Sequence, residues 1–208
     1  MKLQIIYLVI AFVISAVLEK ILIPVLKKLK VGQSERYDGP RSHLRKQGTP
    51  TMGGIAMIIT LVIFAIYYFI SNACNMENSK IILAITLTSV GFGLVGFVDD
   101  FKKVVLKNTE GLNPKLKMLG LLIIASAYTI FLTKFTNIGT AIKIPFTEIS
   151  LTLPMWFYIP FTIFVMLGTT NAVNLTDGVD GLNGSVSTIM MTAISIISLK
   201  SGNLELSY

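Results

Sequence analysis

The sequence is short of what a soluble enzyme usually carries. Charged residues make up only 14% of its 208 residues, against about 25% in soluble domains. It has one cysteine, Cys74, and one histidine, His43. A lone cysteine excludes an intrachain disulfide framework and any multi-cysteine metal site. Acidic residues are also scarce, 11 against 18 basic ones, for a net charge of +7. The basic residues sit beside apolar blocks, which identifies them as anchors at a membrane surface and argues against a nucleic-acid partner.

What is abundant is hydrophobic sequence, 53% of the chain, gathered in long runs. Six blocks can span a bilayer: 3–26, 51–70, 81–98, 118–132, 153–167 and 186–199. A span needs about 20 residues, so the last three must borrow flanking residues. The first block is too long for a cleavable signal, has no small-residue cleavage site after it, and runs into Lys27, Lys28 and Lys30. The expected architecture is an all-α polytopic membrane protein forming a single transmembrane domain over 1–208.

Lys and Arg set the orientation. Lys27, Lys28, Lys30, Arg36, Arg41, Arg45 and Lys46 follow the first span, and Lys102, Lys103, Lys107, Lys115 and Lys117 follow the third. The opposite side has only Lys80, Lys134 and Lys143, with Lys2 and Lys200 near the chain ends. The richer side is expected in the cytoplasm, which puts the N-terminus outside. Between the fourth and fifth spans, Ile142, Ile144 and Phe146, then Ile149, Leu151 and Leu153, alternate with other residues. Period two on both sides of Thr147 and Glu148 predicts a small extracytoplasmic β-hairpin, with Pro145 at an edge. Glu19 and Lys20 interrupt the first span. Intramembrane charge is often functional, but the reading adopted is that both snorkel toward the cytoplasmic headgroups.

Three polar clusters fall at cytoplasmic span boundaries. The first, 39–54, contains His43, Arg41, Arg45, Lys46 and the glycines Gly48, Gly53 and Gly54. It is either a backbone-and-cation site for an anion or a basic loop starting a helix. The second is Asp99-Asp100. Adjacent carboxylates repel unless a cation is near; Lys102, Lys103 or a bound metal would serve, and a solvated helix end is the alternative. In the third, Asn171, Asn174, Asp177, Asp180 and Asn183 recur every third residue, with Gly178, Gly181 and Gly184 in the same rhythm. Helical residues three apart share a face, so Asn174 and Asp177, or Asp177 and Asp180, can converge on one ligand. Asp and Asn oxygens without Cys or His suit a hard cation such as Mg²⁺. Together the clusters suit phosphoryl transfer, which depends mainly on positioning and charge neutralisation. A transporter would instead place its charges near the midplane.

In three stretches the sequence resembles the polyprenyl-phosphate N-acetylhexosamine-1-phosphate transferases. They are Lys-Gln-Gly-Thr-Pro-Thr-Met-Gly-Gly at 46–54, Gly-Phe-Val-Asp-Asp-Phe-Lys-Lys at 96–103 with Gly111 and Leu112 downstream, and Asn-Ala-Val-Asn-Leu-Thr-Asp-Gly-Val-Asp-Gly-Leu at 171–182. The Thr-Pro-Thr-Met-Gly-Gly stretch favours the muramoyl-pentapeptide branch over relatives that use other sugars. The resemblance implies transfer of phospho-N-acetylmuramoyl-pentapeptide from UDP to undecaprenyl phosphate in the bacterial plasma membrane, with Mg²⁺ required and a homodimer expected. It implies Asp99 as the base that activates the lipid phosphate, with Asp100 assisting; a covalent role for a carboxylate is the alternative. Asp177 joins the catalytic set and, with Asn174, holds the metal and diphosphate. Lys46 and Asp180 would contact the nucleotide or its sugar, Lys103 and Lys117 the phosphates, and Asn171 the substrate. Family members continue for several further spans, bearing another metal-binding aspartate and a histidine-rich loop. The sequence is therefore expected to be the N-terminal portion of a longer chain, without activity by itself.

Overall fold

The structure, a computed structural model, describes residues 2–28, 51–71, 76–105, 111–144, 147, 149–177 and 181–200. Six helices follow one another: α1 (Lys2–Lys28), α2 (Gly54–Ser71), α3 (Met76–Val105), α4 (Pro114–Phe135), α5 (Met155–Thr176) and α6 (Leu182–Lys200). Strands β1 (Ala141–Lys143) and β2 (Ser150–Thr152) lie between α4 and α5. Five helices are long and apolar enough to cross a membrane; α6 is apolar over the shorter stretch Leu182–Ile197. The last three apolar blocks do borrow flanking residues, as their short lengths required. The third block extends further than its apolar run. At 30 residues, α3 is about 45 Å long against a hydrocarbon core of about 30 Å. The Asp99-Asp100 pair therefore lies inside a helix that continues to Val105, not at a helix end.

Local sequence explains the helix boundaries. Asn113 caps α4: its Oδ1 accepts the Lys115 amide at 3.0 Å, and Pro114 occupies the first turn, where a missing N–H costs nothing. Gly181, at φ +81°, turns the chain into α6, whose Ser185 amide reaches the Gly181 carbonyl at 3.0 Å. The hairpin forms with antiparallel register Ala141↔Thr152, Ile142↔Leu151 and Lys143↔Ser150, as the alternation predicts. Pro145 and Cys74 lie outside the described residues.

Each helix packs on its neighbour in sequence, in an up-and-down row in which α4 contacts both α3 and α5. The buried positions are mostly small: Ala56, Thr60 and Ala65 on α2, Ala84 on α3, Ala125 and Thr129 on α4. Lipid offers large side chains as good a home as another helix does, so close backbone approach drives this packing. Gly91 lies against Ile124, Gly120 against Val95, and Gly93 against Ile58. The buried threonines bond their own helix: Thr60 Oγ1 donates to the Ala56 carbonyl at 2.9 Å, and Thr129 Oγ1 to that of Ala125 at 2.8 Å. Phe12, Ile70, Phe164 and Ile189 are exposed, as expected of surfaces that face lipid.

Glu19 meets a neighbouring helix at the end expected on the cytoplasmic side. Lys20 is exposed, but the Glu19 carboxylate turns sideways onto the start of α2. Its Oε1 would lie 3.3 Å from a Cβ on Gly53. A helix N-terminus, with unpaired N–H groups, is a favourable place for a carboxylate.

Candidate active site

Asp99 sits at the convergence of α3 and α4. It is 5% exposed, and three donors surround its carboxylate. Oδ1 accepts the Leu112 amide at 2.8 Å; Oδ2 accepts Lys103 Nζ at 2.8 Å and Lys117 Nζ at 3.2 Å. Lys103 reaches it from one turn along α3 and Lys117 from the first turn of α4. The backbone contact depends on Gly111, whose φ is +70° and whose missing Cβ would lie 2.6 Å from Asp99 Oδ1. Lys117 Nζ also donates to Asn174 Oδ1 on α5 at 3.3 Å. One ammonium therefore joins three helices.

Asp100 faces elsewhere, because successive helical residues point about 100° apart. It lines the end of a groove of about 520 Å³ between α2 and α3. Ile58, Ile59, Val90 and Leu94 wall the groove; Asp100 and Asp177 close it. A second cavity, of about 250 Å³, lies between α3, α4, α5 and the start of α6. Its polar lining is Lys117, Thr170, Asn171, Asn174, Asp177 and Asn183. Gly96 and Asp177 line both cavities. An apolar channel and a polar pocket thus meet at one carboxylate.

The structure brings together Asp99, Asp100, Lys103, Lys117, Asn171, Asn174 and Asp177. Lys46 and Asp180 lie outside the described residues, as do His43, Arg41 and Arg45. The triplet rhythm is realised only in part. Asn171 and Asn174 share a face of α5, but the helix ends at Thr176 and Asp177 is its C-cap. The pairing of Asp177 with Asp180 falls outside the described residues. Of Lys102 and Lys103, it is Lys103 that pairs with Asp99, being one turn away. The sequence reading assigned no role to the Leu112 amide; a glycine 12 residues beyond Asp99 was the only signal of it.

Among the described residues no group of three His, Cys, Asp or Glu side chains gathers to hold a metal. Asp177 and Asn174 nevertheless share the polar pocket, a carboxylate beside an amide oxygen. That set suits Mg²⁺, which keeps several waters and takes its remaining ligands from substrate phosphates. The Asn174 carbonyl has a second lone pair beyond the one engaged by Lys117.

Comparison with known proteins agrees with this geometry. The sequence model of glycosyl transferase family 4 matches residues 82–208. The phospho-N-acetylmuramoyl-pentapeptide-transferase of Staphylococcus carnosus is 44% identical over 197 residues, covering 94% of this chain and 60% of that protein. Its namesake in Clostridium perfringens is 43% identical over 199 residues, covering 96% and 60%. That of Halalkalibacterium halodurans is 40% identical over 191 residues, covering 92% and 57%. The chain thus spans about three fifths of the length of these relatives, and with the match over 82–208 it belongs to glycosyl transferase family 4.

Proposed function

We propose that this chain belongs to an enzyme that transfers phospho-N-acetylmuramoyl-pentapeptide from UDP to undecaprenyl phosphate, a membrane step of peptidoglycan synthesis. The observation that carries the reading is the meeting of an apolar groove and a polar pocket at Asp177. A lipid phosphate arrives along the groove with its chain against α2 and α3. The nucleotide donor occupies the pocket, its diphosphate near Lys117 and Lys103. An oxygen of the lipid phosphate bonds to the β-phosphorus, the bond from that phosphorus to the oxygen bridging it to the α-phosphate breaks, and UMP leaves with the electron pair. Asn174 and Asp177 would hold Mg²⁺, which supplies charge neutralisation for the diphosphate. Lys46 and Asp180 contact the nucleotide or its sugar, and Asn171 contributes to the pocket wall. The reading includes a bacterial plasma membrane and, by family resemblance, a homodimer. A transporter is disfavoured because Asp99, the one buried charged side chain among the described residues, lies in the last two turns of the long helix α3 and not at its middle.

The test is transfer by the protein expressed from its complete gene. Labelled UDP-N-acetylmuramoyl-pentapeptide should yield a solvent-extractable lipid product only when undecaprenyl phosphate is added. EDTA should stop the reaction and Mg²⁺ restore it. Movement of the donor across vesicles with no lipid product would support transport instead.

Two further outcomes are expected. Gly96 borders both cavities, and a Cβ there meets nothing within 4 Å. Gly96→Leu should therefore fill the junction without disturbing helix packing, lowering turnover at least tenfold with an unchanged melting temperature. Unchanged turnover would mean that no substrate passes this point. The Lys/Arg bias puts the site in the cytoplasm. With Cys74 replaced, cysteines at Ser42 and Asn108 should resist an impermeant thiol reagent in intact cells and react after permeabilisation. Labelling from outside would invert the topology.

A further inference from the structure

We propose that the cleft between α3 and α4, at the end of the bundle remote from the acids, binds an acyl chain of an anionic phospholipid whose headgroup is held by Lys80 and Lys134. The proposal does not depend on the transferase reading, because no residue of the candidate active site lines this cleft.

The cleft has a volume of about 320 Å³, with Leu83 and Leu87 on one wall and Ile123, Ala127, Tyr128 and Phe131 on the other. From Leu83 to Gly91 it runs about 12 Å along α3, which fits within one leaflet of a hydrocarbon core about 30 Å thick. Thr88 contributes a hydroxyl to the wall, but its Oγ1 donates to the Ala84 carbonyl of its own helix at 2.7 Å. A lining of this kind takes hydrocarbon.

The cations at its end say which hydrocarbon. Lys80 precedes Leu83 by three residues and Leu87 by seven; Lys134 follows Phe131 by three and Ala127 by seven. Those spacings stay on one helix face, so each lysine prolongs one wall of the cleft beyond its apolar end. Lys80 Nζ crosses from α3 to α4, donating to the Phe135 carbonyl at 3.3 Å, and so sets an ammonium over the gap between the helices. Lys134, in the last turn of α4, is exposed. Trp156, 78% exposed in the first turn of α5, marks the same end as the headgroup level. Lysine stems lie along apolar walls while their ammonium groups reach the polar layer. The acid that α3 carries at this end is Glu77, one turn before Lys80, and two cations outweigh it. A net anionic headgroup gains from that balance, and a zwitterionic one much less.

The experiment uses the protein expressed from its complete gene, in nanodiscs of phosphatidylcholine with a small share of phosphatidylglycerol that carries a diazirine midway along one acyl chain. After irradiation, mass spectrometry should find the label concentrated on Leu87, Ile123 and Ala127. Unlabelled phosphatidylglycerol should compete it away, and additional phosphatidylcholine should not. Lys80→Gln and Lys134→Gln should each weaken labelling about fivefold, and the pair about twentyfold. Lys20→Gln, at an exposed lysine of α1, should change nothing, and Glu77→Gln should strengthen labelling. Ala127→Phe should abolish it by filling the cleft; the melting temperature shows whether α3 and α4 still pack, and the lysine variants carry the test if they do not. Equal labelling of the wild type and the double lysine variant, or displacement by phosphatidylcholine, would reduce the cleft to a surface wetted by any lipid and overturn the proposal. So would stronger competition by undecaprenyl phosphate than by phosphatidylglycerol, or a cleft left unlabelled because another segment of the complete protein covers it.

Discussion

Asp177→Asn should reduce turnover by roughly two to three orders of magnitude while leaving the amount of folded protein nearly unchanged. The two halves of that expectation have separate causes. Asp177 caps the C-terminus of α5 and is exposed, so its amide counterpart fits the same turn at little structural cost. It is also the charged side chain common to the groove and the polar pocket. The carboxylate is anionic like the phosphoryl group, so it acts through the cation it would hold, and misplacement of such a group by about 1 Å costs on the order of a hundredfold in rate. A metal held there would lose its carboxylate and rest on the Asn174 amide and substrate oxygens alone. The measurement is turnover across a Mg²⁺ titration, with Asp38→Asn as a cytoplasmic-loop control. Turnover within a few-fold of the wild type at all Mg²⁺ concentrations would remove Asp177 from the site.

Gly111→Val should be nearly as damaging, although residue 111 touches no substrate. At φ +70° an L side chain costs about 1–2 kcal/mol in backbone strain alone. Its Cβ would also lie 2.6 Å from Asp99 Oδ1 and 2.5 Å from Lys103 Cε. The lysine stem can swing aside. The carboxylate, held by an amide and two ammonium groups, yields only if the corner opens. Lys117 would then shift relative to Asn174, and displacement by about 1 Å can cost a hundredfold in rate. Gly139 isolates the backbone contribution: its φ is +67°, and nothing lies within 4 Å of its missing Cβ. Gly139→Val should lower the melting temperature slightly and leave turnover unaltered. Gly111→Val should lower both, turnover by about a hundredfold. Equal behaviour of the two variants would show that the contact between Gly111 and Asp99 has no functional consequence.

Much of the architecture was legible because it follows from periodicity and length. The apolar runs located the helices, and alternation around Thr147 predicted the paired strands. Polar clusters at alternate span boundaries placed the acids of α3 beside Asp177 at the end of α5. Other features depend on direction, which spacing does not encode. Asp99 and Asp100 are neighbours in sequence, but one points into the α3–α4 corner and the other into the groove. Residues three apart fit a continuous helix, so the break after Thr176 was hidden within an unbroken Asn/Asp rhythm. The bond from Leu112 to Asp99 spans 13 residues, and its one trace in sequence is a glycine needed for a positive φ. The groove was hidden too: glycines at 93 and 96 on α3 face different surroundings, one pressed against Ile58 and one open.

The most direct measurement is photocrosslinking with a polyprenyl phosphate carrying a diazirine close to the phosphate. If the acids at the end of the α2–α3 groove are where the lipid meets the nucleotide donor, mass spectrometry should find the label on groove residues such as Ile55, Ile58, Leu94 and Phe97. Undecaprenyl phosphate should compete it away, and Gly96→Leu should weaken it. Label spread over the lipid-facing surfaces of α1 and α6, insensitive to competitor and to Gly96→Leu, would contradict that assignment.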